Sequence, residues 1–401
     1  MRSAWKFGVT SLVVGYFVGC APVNFEKAPE PPCGSEGVIC VTSCEGASCI
    51  NSYSIERRVG EAMADVLFVI DNSGSMSYEH DKMATKFPTF IQNLDGLNVN
   101  YRIGMITTDV ANTSPSPSDN GEPDPAKRFS TPKAANGNGA FQSGNLLQFS
   151  GGRSFLSGTD SDRSSAFISM VRRQETLNCE ASGFLKSSCP SDDERGIYSA
   201  NLLVEKEASA AKFFRPTAHL AVVILADEDE RGISDSRGAT NSSDYTLIGI
   251  HPLDQNWDVQ ASFINRFKNR FPGKTLSVHP IIVKPGDSGC RTTQANQIPN
   301  VRGDFGYAYS DLKDAAGGTM GSICDGDYGS TLTNIASSIA NQVTSLPFSC
   351  RPINDDYDVT FDPQPAGNVN VTADFSKLTL NINTALPPLT KVTLKYGCVK
   401  Q

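Results

Sequence analysis

The chain has 401 residues, 35 Lys and Arg against 43 Asp and Glu, a formal net charge of −8, and 11 cysteines. That length exceeds what one compact core holds, so more than one folded unit is expected, and a composition of 39% hydrophobic and 19% charged residues is that of a globular chain. The acidic balance leaves nucleic acid out as an expected partner, because such affinity depends on neutralising phosphates with Lys and Arg. Only His80, His219, His251 and His279 are available for imidazole chemistry.

Residues 1–19 read as an export signal: Arg2 and Lys6 give a positive start, residues 7–18 are apolar and uncharged, and Gly19 is small. The apolar run is short for a bilayer span. Phe17-Val18-Gly19-Cys20 resembles a bacterial lipobox, which implies cleavage before Cys20 and a lipid on its thiol. Ala21 resembles the sorting signal for the outer rather than the inner membrane, with the periplasmic and surface faces both open. With Cys20 lipidated, ten thiols remain, an even number suited to an oxidising compartment. The stretch from Cys20 to Pro32 is Pro-rich and reads as a tether. Cys33, Cys40, Cys44 and Cys49 follow at spacings of seven, four and five, in a segment with no recurring apolar pattern. These spacings form no paired zinc knuckles, so two local disulfides of undetermined pairing are expected within a tether and Cys-rich segment, residues 20–60.

From about Glu61 the texture changes. Val66-Leu67-Phe68-Val69-Ile70 is a continuous apolar run ending in turn formers, as in a strand buried on both faces. Met83, Phe87, Phe90, Ile91 and Leu94 recur at helical spacing, with Pro88 expected near a helix start or a kink. Further strands are expected at residues 101–107, 219–225 and 276–283. Helices are expected at residues 194–211, at 259–271 on a Val259, Phe263, Phe267 and Phe271 stripe, and through Leu332, Ile335, Ile339 and Val343. Such alternation over residues 61–345 predicts an α/β fold with a doubly wound, mostly parallel sheet, which binds ligands beyond the carboxyl ends of its strands. Residues 112–162, dense in Ser, Asn, Gly and Pro, read as an insertion. Cys179 with Cys189 and Cys290 with Cys324 are expected to close loops near the sheet's upper face. Residues 346–401 alternate at Tyr357, Val359 and Phe361 and again at Val392, Leu394 and Tyr396, predicting a small C-terminal all-β module that a Cys350–Cys398 bridge would staple.

The chemistry is concentrated where the first strand ends. Asp71-Asn72-Ser73-Gly74-Ser75-Met76 presents a carboxylate and two hydroxyls at i, i+2 and i+4, all hard oxygen donors. An EF-hand is excluded, since Met76 stands where Gly is needed and Lys82 where a bidentate acid belongs. Apolar strand, Asp-x-Ser-x-Ser, helix, and a later strand ending at Ala226-Asp227 together resemble a von Willebrand factor A (vWA) domain over residues 61–345. The resemblance implies a metal-ion-dependent adhesion site (MIDAS), in which Asp71, Ser73 and Ser75 hold Mg²⁺ or Mn²⁺, with Ca²⁺ the alternative, and Asp227 acts directly or through water. The family's middle ligand is a Thr opening a helix; here Asp192-Asp193-Glu194-Arg195-Gly196 stands there, so Glu194 would replace the hydroxyl, with Thr108 as a second choice. Glu228, Asp229 and Glu230 read as a solvated loop, and Asp325-Gly326-Asp327 as a turn.

The expected function is a membrane-anchored, non-enzymatic envelope lipoprotein that binds or adheres through a divalent metal. Its partner would be a protein or glycan offering a carboxylate, and its membrane contact the N-terminal lipid. The alternatives are a metal-free envelope scaffold and a metal-assisted hydrolase using Asp71, Asp227 and Glu228; no Ser or Cys stands in a recognisable nucleophile motif.

Overall fold

The computed structural model describes residues 38–45, 48–58, 62–110, 137–184, 189–190, 194–207, 213–215, 218–230, 256–271, 274–297, 303–344, 346–348, 350–376, 378–382, 384 and 390–399. The export signal, Cys20, Cys33, Asp192, Asp193, His251 and the side chains of Cys40, Cys44 and Cys49 lie outside them.

The first two strands, β1 (Val38–Glu45) and β2 (Ser48–Arg58), form an antiparallel hairpin in which Cys44 and Cys49 are register partners. β3 (Met63–Ile70) leads into helix α1 (Ser77–Gly96), which contains Pro88, and then β4 (Asn100–Thr107). The short β5 (Leu156–Ser157) precedes α2 (Arg163–Val171), α3 (Gln174–Ala181) and α4 (Gly196–Glu207). β6 (His219–Leu225), α5 (Gln260–Arg270), β7 (Leu276–Ile282), α6 (Ser288–Gln297), α7 (Tyr307–Ala316), β8 (Gly321–Ser322) and α8 (Gly329–Thr344) follow. The chain continues through β9 (Leu346–Pro347), β10 (Tyr357–Asp362), β11 (Val371–Asp374), β12 (Thr379–Ile382) and β13 (Lys391–Val399).

The largest sheet has the order β5-β4-β3-β6-β7-β8, parallel except for the antiparallel β5 at its edge. Apart from Asp65, β3 is apolar because its side chains feed two cores. Val66, Phe68 and Ile70 pack with Phe87 and Phe90 of α1, Phe167 of α2 and Ile335 of α8; Leu67 and Val69 pack with Leu203 of α4, Phe263 and Phe267 of α5 and Tyr309 of α7. The one charged residue inside this strand, Asp65, is buried and accepts hydrogen bonds from Arg215 Nε at 2.8 Å and Lys274 Nζ at 2.7 Å. Among the described residues no helix is long and apolar enough to cross a membrane.

The expected fold class is corrected on two points. The main sheet is mixed, since β5 pairs antiparallel with β4. The all-β part is not a C-terminal module: β13 pairs antiparallel with β2 from Lys391↔Arg58 to Val399↔Ile50, giving a four-stranded sheet β1-β2-β13-β10 made from both ends of the chain. A separate antiparallel sheet, β11-β12-β9, supplies Leu346 and Leu380 to the same core as Tyr53, Ile55, Val392, Leu394 and Tyr396. The segment read as lacking a pattern therefore furnishes two strands. Its Ser- and Cys-rich composition hides the alternation, and the strand it pairs with, β13, lies more than three hundred positions away. The Cys179–Cys189, Cys290–Cys324 and Cys350–Cys398 disulfides are all present.

Candidate functional site

In the main sheet β4 and β6 flank β3, so the chain leaves β3 in one direction and returns on its other side, which places three loop starts at one edge. The backbone fixes their juxtaposition: Asp71 N donates to Leu225 O at 2.9 Å, and Thr108 N donates to Ile70 O at 3.1 Å. Asp71, Thr108 and Asp227 thus stand at or just beyond adjacent strand ends although they come from distant parts of the sequence.

Asp71 Oδ1 accepts Ser73 N at 2.8 Å and the Thr108 hydroxyl at 3.5 Å. The Ser73 and Ser75 hydroxyl oxygens are 2.8 Å apart. Asp227 lies against both Asp71 and Ser75. Asp71 Oδ2 and both carboxylate oxygens of Asp227 are buried and meet no hydrogen-bond donor of the protein with good geometry. Burial pushes the Asp71 carboxyl from its ordinary 3.8 up to about 6, against the lowering effect of Ser73 and Thr108. Asp227 is pushed well up, first by burial and then by the neighbouring charges of Asp71, Glu228 and Glu79. Ser73 and Ser75, at 8% and 9% exposure against 0% and 1% for the two acids, are the side of the cluster nearest solvent.

α1 secures this loop from below. His80 Nε2 lies 2.7 Å from Asp71 O; a carbonyl only accepts, so Nε2 carries the proton. Burial holds the ring neutral, with its value pushed down to about 4. Glu79, which sequence reasoning did not single out, is buried and accepts Gln294 Nε2 at 3.2 Å. Nothing but its place in the first turn after the Asp-x-Ser-x-Ser run could have signalled it.

The other expected residues fall as follows. Glu194 is buried beside the end of β4, where Arg195 N donates to Thr108 O at 3.1 Å, but it is the Thr108 hydroxyl that meets Asp71 from this side. Asp229 and Glu230 are not solvated: Asp229 accepts Ala308 N at the start of α7, and Glu230 accepts Ile197 N and Tyr198 N in the first turn of α4. They hold helices in place and leave Asp227 as the acid of this run that faces Asp71. Asp325 and Asp327 are turn residues that accept Thr331 Oγ1 and Gly329 N. His219, Ser277 and His279 form a buried row on β6 and β7, linked at 2.8 Å. Among the described residues no group of three or more His, Cys, Asp or Glu is arranged to hold a metal; the cluster at the sheet edge contains two carboxylates, and its remaining donors are hydroxyls.

No family model matches the chain. No curated protein matches it either. Among solved structures it is similar to the pilus adhesin SpaC of Lactobacillus rhamnosus GG, at 10% identity and a TM-score of 0.32 over 90% of this chain. It is also similar to the adhesive tip pilin GBS104 of Group B Streptococcus agalactiae, at 11% identity and a TM-score of 0.33, covering 89% of this chain and 84% of that one. The PilB minor pilin of Streptococcus sanguinis is matched at 11% identity and a TM-score of 0.30, over 76% of this chain and 77% of that one. The chain spans 43% of the length of SpaC. The expected membership of the vWA family is therefore corrected: no family model matches, and the chain is assigned to no family. At these TM-scores the likeness assigns neither fold nor function, and the architecture rests on the three sheets described above.

Proposed function

We propose that this chain is a lipid-anchored bacterial envelope protein that binds a protein or glycan ligand through a divalent cation, held by Asp71, Ser73, Ser75, Thr108 and Asp227. The observation that carries the reading is the pair of adjacent buried carboxylates whose Asp71 Oδ2 and Asp227 oxygens meet no protein donor with good geometry. Two such groups repel and are poorly solvated, and a cation relieves both costs. The donor set is entirely hard oxygen, which suits Mg²⁺ or Mn²⁺, with Ca²⁺ as the larger alternative. When bound, the ion would neutralise the pair and offer a coordination position to an incoming carboxylate. The chain's own residues orient the set: Ser73 N and Thr108 engage Asp71 Oδ1, so that Oδ2 is left toward Asp227.

Binding is favoured over metal-assisted hydrolysis because the imidazole that touches this loop is already committed. His80 donates to the Asp71 carbonyl and is held neutral by burial, so it positions the loop and does not serve as a base for water. Titration calorimetry with Mg²⁺, Mn²⁺ and Ca²⁺ on the mature chain tests the reading. The whole chain is needed, since a cut after α8 would remove the partner strand of β2. Saturable heat that disappears in Asp71→Ala and Asp227→Ala is expected. No heat with any of the three ions would refute it in favour of the metal-free scaffold.

A further inference from the structure

The run of residues 71–75 alternates. Asp71, Ser73 and Ser75 turn their oxygens to the cluster, and the residues between them, Asn72 and Gly74, are seated against α3. The Thr176 hydroxyl donates to Asn72 O at 2.8 Å, and Asn72 Nδ2 donates to Glu175 Oε1 at 3.0 Å. Glu175 Oε1 also accepts Arg173 Nε at 2.8 Å, and the Arg173 guanidinium reaches the carbonyls of Met170 and Asn138. Asn72 and Thr176 are fully buried. The last turn of α3 carries Cys179, bonded to Cys189, and its sulfur faces Gly74. A Cβ added at Gly74 would stand 2.6 Å from Cys179 Sγ and 2.8 Å from Phe184 Cε1, closer than real contacts allow. Phe184 is itself tied back, its N donating to Cys179 O at 3.0 Å.

We infer that α3 and the Cys179–Cys189 disulfide are a positioning clamp that grips Asn72 and Gly74 and thereby sets the cation affinity of Asp71, Ser73 and Ser75. The inference rests on the cation-dependent reading above. A short loop of Asn, Ser and Gly has many conformations of similar energy, and a ligand that must order it bears that entropy on binding. Contacts to the alternate residues remove this cost beforehand without occupying a donor oxygen, as partners behind metal ligands do elsewhere. Thr176, Glu175 and Cys179 thus act through the loop. The disulfide fixes the end of a helix of only eight residues, too short to hold its place by its own hydrogen bonds.

The test is Mn²⁺ binding, by calorimetry and by loss of the free-ion electron paramagnetic resonance signal, in the wild type, Cys179→Ala/Cys189→Ala, Thr176→Val and Thr176→Ser. The double variant and Thr176→Val should bind about 10–100-fold more weakly, the range seen when partners behind a metal ligand are removed. Thr176→Ser, which keeps the hydroxyl, should bind as the wild type does. Cys350→Ala/Cys398→Ala is the control: it lowers the melting temperature and leaves Mn²⁺ affinity unchanged, which a general loss of stability would not. Wild-type affinity in folded Cys179→Ala/Cys189→Ala and in Thr176→Val would overturn the clamp while leaving the cation site intact. If the double variant does not fold, the Thr176→Val and Thr176→Ser pair decides alone. Absence of Mn²⁺ binding in the wild type would overturn the cation reading and the clamp with it.

Discussion

Asp71→Asn should stabilise the cation-free protein while destroying cation binding. The carboxyl is buried and displaced from 3.8 to about 6, which at about 1.4 kcal/mol per pH unit amounts to about 3 kcal/mol of destabilisation by the ionised group at neutral pH. Asn keeps Oδ1 for Ser73 N and the Thr108 hydroxyl, and its amide can donate toward Asp227, so the exchange removes charge without stripping hydrogen bonds. The folded protein holds a proton on Asp71 that the unfolded chain releases between about pH 4 and pH 6; the contribution of this group to wild-type stability therefore falls as pH rises through that window and is level above it. In EDTA at pH 7.5 the variant should melt roughly 4–5 °C above the wild type, and the gap should close at pH 4. Added Mg²⁺ should reverse the order, because an ion at about a thousand times its dissociation constant stabilises only the wild type, by about 4.1 kcal/mol, which exceeds the difference in EDTA. Differential scanning calorimetry at the two pH values, with EDTA and with Mg²⁺, reads all of this. A variant that melts at or below the wild type in EDTA at pH 7.5 would show that the carboxylate pair is not strained and would remove the reason for a cation.

Asp65→Ala should lower stability by about 3–5 kcal/mol, because Lys274 and Arg215 would lose the carboxylate that compensates their burial; urea unfolding followed by far-UV circular dichroism checks this, and a loss below about 1 kcal/mol would mean water already compensates the two cations. Cys20→Ser should move the protein from the membrane fraction to the soluble fraction, and mass spectrometry of the wild type should find a lipid-modified Cys20 at the mature N-terminus; an intact chain still carrying Arg2 would refute the lipid anchor.

The sequence alone determined the elements whose burial is local and two-sided. Val66 to Ile70 and residues 219–225 announced themselves as strands because a strand covered on both faces is apolar at nearly every position. The oxygen donors Asp71, Ser73 and Ser75 were legible for a related reason: they follow such a strand directly, at a spacing that faces one way. The three described disulfides were likewise readable, from an even cysteine count and from loops that bring their ends together. Tertiary structure decided what depends on partners far off in the chain. β1 and β2 joined the C-terminal strands in one sheet through β13, which Ser and Cys positions with no apolar signal of their own did not announce. Asp229 and Glu230 read as solvated acids because nothing in their neighbourhood reveals the helix ends, around residues 308 and 197, whose amides they bind. Thr108, named only as a second choice, reached Asp71 through the parallel register of β3 and β4. The grip of α3 on Asn72 and Gly74 was invisible for the same reason: a contact across about a hundred residues is fixed by how helices pack on a sheet, and single residue types do not encode it.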